Sequence, residues 1–209
     1  MSKNKENLKL SVFEKILSIV SLSIFILLAI LVVTNNVNWL DSAVYSAVSS
    51  LTCKPMTIFF KFITMLCETE VILILLALFF IFMKNKKLAS YIVINTGLCA
   101  LLNQILKHIF RRIRPVGIAL IEQGGFSFPS GHSMIALAFY GYLIYLIQKS
   151  KLSNTLKIIF TILLGIVILL IGISRIYLGV HFASDVLAAY CLSAVFLVIV
   201  IYIERKKKF

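Results

Sequence analysis

Ile16 to Val33 is a stretch of 18 consecutive uncharged residues, and comparable stretches recur along the chain almost to its end. Such a run matches the ~20 apolar residues that a helix needs to cross a hydrocarbon core of about 30 Å. Composition points the same way. Of the 209 residues 61% are apolar and 14% charged, against about 45–50% and about 25% in soluble domains. Mean hydropathy is +1.03. A soluble globule is excluded. With 9 glycines, 3 prolines and no sustained charged heptad, so are disordered, collagen-like and coiled-coil chains. The expected fold is all-α, a polytopic membrane helix bundle, because six such spanning helices would use about 120 residues and leave only short loops.

Six spans are predicted, at about 14–34, 62–83, 88–107, 132–148, 157–174 and 181–203, within a single membrane domain covering 1–209. The first follows Lys3, Lys5, Lys9 and Lys15 in the manner of a secretory signal, but its apolar stretch is longer than a usual signal core, so it is expected to stay as an anchor. Between the first two spans Leu40, Ala43, Val44, Ala47, Val48 and Leu51 share one helical face, with Asp41, Ser42, Tyr45, Ser46, Ser49 and Ser50 opposite. This reads either as a short amphipathic helix in the outer interface, anchored by Trp39, or as a helical extension of a span. Cys53, Cys67, Cys99 and Cys191 form no CxxC pair and are expected to be small packing residues rather than zinc or redox groups.

The net charge of +13 suggests nucleic acid only until the cations are placed. With the N-terminus inside, 14 of the 21 Lys and Arg fall in inner segments: Lys3, Lys5, Lys9, Lys15, Lys84, Lys86, Lys87, Lys149, Lys151, Lys157, Arg205, Lys206, Lys207 and Lys208. That asymmetry is the positive-inside pattern. It predicts cytoplasmic termini in a cell membrane, with anionic lipid headgroups at the inner face as partners and no role for nucleic acid.

The other 7 cations, Lys54, Lys61, Lys107, Arg111, Arg112, Arg114 and Arg175, fall on the outer side, several of them abutting spans. A charge there costs about 2.5–3.5 kcal/mol on insertion scales unless solvated or paired. Lys107, Arg114 and Arg175 converging on one pocket would suit a phosphate, with its negative charge and acceptor oxygens. Pro129, Ser130 and Gly131 lead into a helix at His132, whose N-terminal amides could face the same anion. His181 and Asp185 lie one helical turn apart, so the carboxylate can hold one ring nitrogen and leave the other as a nucleophile. His132 is then free to protonate a leaving oxygen. Such a site needs neither metal nor cofactor.

Lys107-x6-Arg114-Pro115, Pro129-Ser130-Gly131-His132 and Ser174-Arg175-x5-His181-x3-Asp185 resemble the three signature blocks of the type 2 phosphatidic acid phosphatase superfamily, over 107–115, 129–132 and 174–185. All 11 specified positions match. The resemblance implies a membrane lipid phosphatase with a phosphohistidine intermediate: His181 attacks phosphorus, Asp185 orients it, and His132 acts as acid and then base. Lys107, Arg114, Ser130, Gly131 and Arg175 would hold the phosphoryl oxygens. It also implies a lipid phosphomonoester or terminal pyrophosphate as substrate, with undecaprenyl pyrophosphate, phosphatidylglycerophosphate and phosphatidic acid as candidates. An anion or lipid transporter is the alternative reading of the cation cluster, and a catalytically silent lipid-binding protein a third. Transport is disfavoured because the last four spans carry no charge at mid-depth.

Four further residues are possible auxiliaries. Arg111 and Arg112 fall outside the signature and read first as headgroup contacts, second as help with substrate. Glu68 and Glu70 precede Val71–Met83, an uncharged run of 13 residues too short to cross a bilayer, so the second span must include them or thin the membrane around them. A carboxylate at that depth is either functional or paired with Lys61 or Arg111.

Overall fold

The computed structural model describes residues 10–207; Lys3, Lys5, Lys9 and Lys208 of the charge tally lie outside them. Among the described residues there are eight helices and no strand: α1 Val12–Val33, α2 Asn38–Ser49, α3 Lys54–Met65, α4 Thr69–Phe82, α5 Lys86–Phe110, α6 Gly131–Lys149, α7 Asn154–Tyr177 and α8 Ala183–Lys206.

Local chemistry sets several of the boundaries. Ser11 and Glu14 form a reciprocal capping box at the start of α1, with the Glu14 amide donating to Ser11 Oγ at 3.1 Å and the Ser11 amide to Glu14 Oε2 at 2.9 Å. Asn85 caps α5, Ser130 caps α6 and Ser153 caps α7, each accepting an amide of the first turn. α5 stops at Arg111, which adopts the left-handed conformation with φ 47°.

α6 is the central helix, packed against α5, α7 and α8. Its buried face runs through Met134, Ala138 and Tyr142. Small residues bring its neighbours close. A Cβ at Gly141 would meet Leu197 of α8, and one at Gly172 of α7 would overlap the Tyr190 hydroxyl of α8. α1 lies along α8, α3 along α7 and α4 along α5, while α2 rests on α7 and α8.

Four helices, α1, α5, α7 and α8, are long and apolar enough to cross a membrane, and α3 with α4 passes as a bent pair at 45°. Among the described residues that makes four crossing helices, or five with the bent pair, against the six spans expected; the stretch expected to span at 62–83 is divided, because the chain turns extended at Glu68 before α4 begins. α6 occupies the place of the fourth expected span, but its polar groups are spent inside the bundle. Tyr140 donates to the Leu66 carbonyl at 2.7 Å and Tyr142 to Glu204 at 3.0 Å.

The predicted amphipathic helix is α2, with Trp39 69% exposed. One assignment within it needs correcting: Asp41, placed on the wet face by the helical pattern, is 5% exposed, because Arg112 and Ser184 bind it.

Helix directions sort the charges by end. α5 and α7 finish, and α6 and α8 begin, at the end that holds Lys107, His132, Arg175 and His181. Lys84, Lys86 and Lys87, Lys149 to Lys157, and Arg205 to Lys207 gather at the other, where Lys87 donates to the Lys207 carbonyl at 2.8 Å and Arg205 pairs with Glu14.

Candidate active site

α7 ends at Tyr177, and the chain folds back over its C-terminus through Gly179 (φ 68°), where a Cβ would collide with the Ile118 carbonyl. Both Val180 and His181 amides then donate to the Arg175 carbonyl at 3.2 Å. This turn delivers His181 just ahead of α8, whose third residue is Asp185. Asp185 Oδ2 accepts from His181 Nδ1 at 3.2 Å and from the Phe182 amide at 3.0 Å. On the far side of the ring, Arg114 Nη1 lies 3.0 Å from His181 Nε2. Arg114 can only donate, so Nε2 carries the lone pair and Nδ1 the proton. Burial pushes the His181 pKa down to about 3 against the opposing pull of Asp185, which keeps the ring neutral at physiological pH.

The start of α6 is tied to the same place, as the Ser130 amide donates to the Asp185 carbonyl at 3.1 Å. Ser130 Oγ accepts from the Ser133 amide and hydroxyl at 3.4 and 3.0 Å. A Cβ at Gly131 would press on Asn103, whose Oδ1 would sit 3.0 Å from it while its Nδ2 donates to the Pro129 carbonyl at 3.0 Å. His132 Nε2 stands 3.2 Å from Glu68 Oε1, within ion-pair reach but without the alignment of a formed hydrogen bond. Cys67 Sγ donates to the His132 carbonyl at 3.2 Å.

Arg175 is fully buried. It gives Nη1 to Thr64 Oγ1 and Nη2 to Gln123 Oε1, both at 2.6 Å, and its Nε has no protein partner. An orphaned buried guanidinium N–H is costly unless an anion completes it. Arg114 Nε is held by the Gly124 and Gly125 carbonyls at 3.1 and 3.0 Å, and its Nη1 also donates to Val180 O at 2.7 Å. Its own pKa is lowered by burial and supported by Asp185.

The predicted residues fall into two touching groups. Lys107, Gly131, His132 and Gln123 line a cavity of about 550 Å³ that continues between α4 and α5 past Thr96, Gln104 and Gly97 to Leu73, Leu76 and Val93. His181 lines a second cavity of about 300 Å³ with Pro115 and Asp41. Arg175 links them, its Nη2 donating to Gln123 of the first and its carbonyl accepting the His181 amide of the second.

Of the auxiliaries, Glu68 pairs with His132 rather than with Lys61 or Arg111. Glu70 is exposed in the first turn of α4, where a carboxylate suits the helix dipole. Arg111 caps α5 and donates to the His108 carbonyl at 3.1 Å. Arg112 turns inward to Asp185 and Asp41 at 2.6 and 2.7 Å instead of outward to headgroups. Sequence reasoning passed over Asn103, Gln123, Thr64, Ser184 and the inward turn of Asp41. Only Asn103 had a local signal, one turn before Lys107 on the same face.

The fold and site define an integral membrane helical bundle that gathers a histidine–carboxylate pair and three further cations at one end. The chain belongs to the PAP2 superfamily, whose model matches residues 88–209. It is 40% identical over 114 residues to phosphatidylglycerophosphatase B of Bacillus subtilis (strain 168), covering 54% of this chain and 56% of that protein. It is 29% identical over 124 residues to an undecaprenyl-diphosphatase of Sulfolobus acidocaldarius, covering 56% of each. The aligned stretch thus spans about half the length of these curated relatives. Two solved structures share the fold. A PAP2 type phosphatidylglycerolphosphate phosphatase from Bacillus subtilis matches with a TM-score of 0.83 at 30% identity over 90% of this chain and 96% of that one. Aquifex aeolicus LpxE matches with a TM-score of 0.64 at 25% identity over 78% and 94%.

Proposed function

We propose that this chain, acting as one domain over 1–209, hydrolyses the terminal phosphate of a membrane lipid, a phosphomonoester or a pyrophosphate, through a phosphohistidine at His181. The observation that carries the reading is the state of His181. Nδ1–H is held by Asp185 and the Nε2 lone pair faces Arg114, so the ring is already the right tautomer for attack.

In the first step Nε2 bonds to phosphorus, the bond from phosphorus to the lipid oxygen breaks, and that oxygen takes its proton from His132. Asp185 balances the positive charge that appears on the His181 ring. In the second step His132 removes a proton from water, the hydroxyl attacks phosphorus, and the P–N electron pair returns to Nε2. Lys107, Arg114 and the free Nε–H of Arg175, with Ser130 and the Gly131 amide, hold the equatorial oxygens. The groove between α4 and α5 suits the rest of the lipid, polar near Gln104 and Thr96 and apolar beyond.

Phosphate release from detergent-solubilised lipid phosphates tests the reading. Release by wild type, lost in His181→Ala, supports it. Binding without release would favour a silent lipid-binding protein, and anion flux in vesicles a transporter.

Because three fixed cations supply the charge stabilisation that a metal gives other phosphoryl-transfer enzymes, no metal or cofactor enters this mechanism. Activity is expected to survive EDTA, and vanadate to inhibit by occupying the cation pocket. Complete loss on chelation with rescue by Mg²⁺ would sink the metal-free mechanism.

Six crossings, with α6 as one of them, put both termini inside, where anionic headgroups meet the lysine-rich end, and open the site outward. Outer-leaflet lipid phosphates are then the accessible substrates, undecaprenyl pyrophosphate among them. Single cysteines at Glu122 and Lys84, both exposed, in a background lacking the four native ones, would report this. A membrane-impermeant maleimide should label position 122 and not 84 in intact cells. The reverse pattern would invert the topology and favour an inner-leaflet substrate.

A further inference from the structure

Behind the His181–Asp185 pair stands a second carboxylate that reaches it through an arginine. Arg112 Nη1 donates to Asp185 Oδ1 at 2.6 Å and to Ser184 Oγ at 2.7 Å, and Nη2 donates to Asp41 Oδ2 at 2.7 Å. Asp41 Oδ1 accepts the Ser184 amide at 2.9 Å and its Oδ2 the Ser184 hydroxyl at 3.0 Å. The guanidinium also stacks on Phe182, 4.0 Å from the ring centroid. Asp185 is thereby gripped at both oxygens. Oδ2 holds His181 Nδ1 and the Phe182 amide, and Oδ1 is held by Arg112.

Two simpler accounts fit less well. Arg112 is already held by two carboxylates, whereas Arg114 and Arg175 donate only to neutral groups, so Arg112 is the arginine poorly placed to bind the phosphoryl group. Nor is stability a sufficient reason. Two buried carboxylates sharing one guanidinium are costly to desolvate, and apolar replacements of such clusters are often neutral or stabilising. What the cluster does provide is orientation, since a carboxylate fixed at one oxygen cannot swing away from the histidine bound at the other.

We propose that Arg112 and Asp41 are positioning residues for the nucleophile: Arg112 locks Asp185 in the orientation that holds His181 Nδ1–H, and Asp41, reaching in from α2, locks Arg112. This rests on the reading of His181 as nucleophile given above. Neither residue touches substrate. Their loss should therefore slow the chemical step and leave phosphate binding intact.

The test uses full-length Arg112→Gln, Arg112→Lys, Asp41→Asn and the double variant Asp41→Asn/Arg112→Gln in detergent. Each is assayed on a lipid phosphomonoester and on a soluble aryl phosphate, with inhibition by inorganic phosphate as the binding readout and thermal unfolding as the folding control. Arg112→Gln is expected to lower kcat about 100-fold on both substrates, the cost of a nucleophile displaced by about 1 Å. KM and the phosphate inhibition constant should stay within about threefold. Arg112→Lys, which keeps the charge but not the fork, should recover part of the loss. Asp41→Asn should cost about 10-fold alone and nothing further in the double variant, because it acts only through Arg112.

A KM or phosphate effect with kcat preserved overturns the proposal and makes Arg112 a phosphate ligand. Loss confined to the lipid substrate overturns it in favour of a headgroup contact. Additive losses overturn the route through Arg112. Should Arg112→Gln fail to fold, Arg112→Lys and Asp41→Asn decide by the same kcat and KM split. If wild type turns over and these variants match it, this proposal alone fails; if wild type has no phosphatase activity, the earlier reading fails and takes this one with it.

Discussion

His181→Ala is expected to lower turnover by about 10⁴-fold or more, since removing the nucleophile from a set of groups that act together forfeits nearly everything the set contributes. Wild-type enzyme denatured in alkali during turnover should carry phosphate on His181, as phosphohistidine survives base and is lost in acid. Label on another residue would overturn the assignment. The buried ring, with its pKa pushed down to about 3, also fixes the expected pH behaviour. The free enzyme's nucleophile is neutral and ready throughout the physiological range. An acid limb of kcat/KM between about pH 5 and 7 must then come from another group, the substrate's own second phosphate ionisation near 6 being one. Stability carries the linked sign. The unfolded chain protonates this histidine near 6.5 and the folded one does not, so its contribution weakens as pH falls from about 6.5 towards 3. Thermal unfolding of wild type and His181→Gln across that window would show the wild type losing more.

The candidate site was more legible in the sequence than the fold's details were, and the reason is where its residues sit. Lys107, Ser130, His132, Arg175 and Asp185 each lie within a turn of a helix end facing the site, so local spacing already dictates how each element presents its side chain. His181 and Asp185 are four residues apart, and their contact is nearly a local property of one helix start. Asp41 had no such signal. It meets Ser184 across 143 residues, and a helical pattern can only assign a lone carboxylate to the polar face. Glu68 was recognisable as a charge at an awkward depth, but its partner His132 comes from α6, and only the fold brings them together. The break after α3 was hidden for a related reason, because hydropathy sums over a window and does not register a backbone turn inside it. In α6 the converse holds. Tyr140 and Tyr142 lower the apparent hydropathy yet are buried, with carbonyl and carboxylate partners inside the bundle.

His132→Ala should discriminate between substrates. A general acid matters in proportion to how badly the departing oxygen needs a proton, and typically contributes about 10²–10⁴-fold. A lipid phosphomonoester leaves as a basic alkoxide, whereas a nitrophenyl phosphate leaves as a stable phenolate. The variant is therefore expected to lose about 10³-fold on the lipid and no more than about 10-fold on the aryl ester. Glu68 enters through the same step. Its carboxylate lies 3.2 Å from His132 Nε2 and, being itself partly exposed, offers solvent a route to reload the ring's proton. Glu68→Gln should follow the same substrate pattern at smaller amplitude, about 10-fold on the lipid, because the proton is then held less firmly but the imidazole remains. Equal losses on both esters would remove His132 from acid catalysis and place it among the phosphate ligands. A Glu68→Gln variant that instead raised KM alone would make Glu68 a substrate contact at the mouth of the groove.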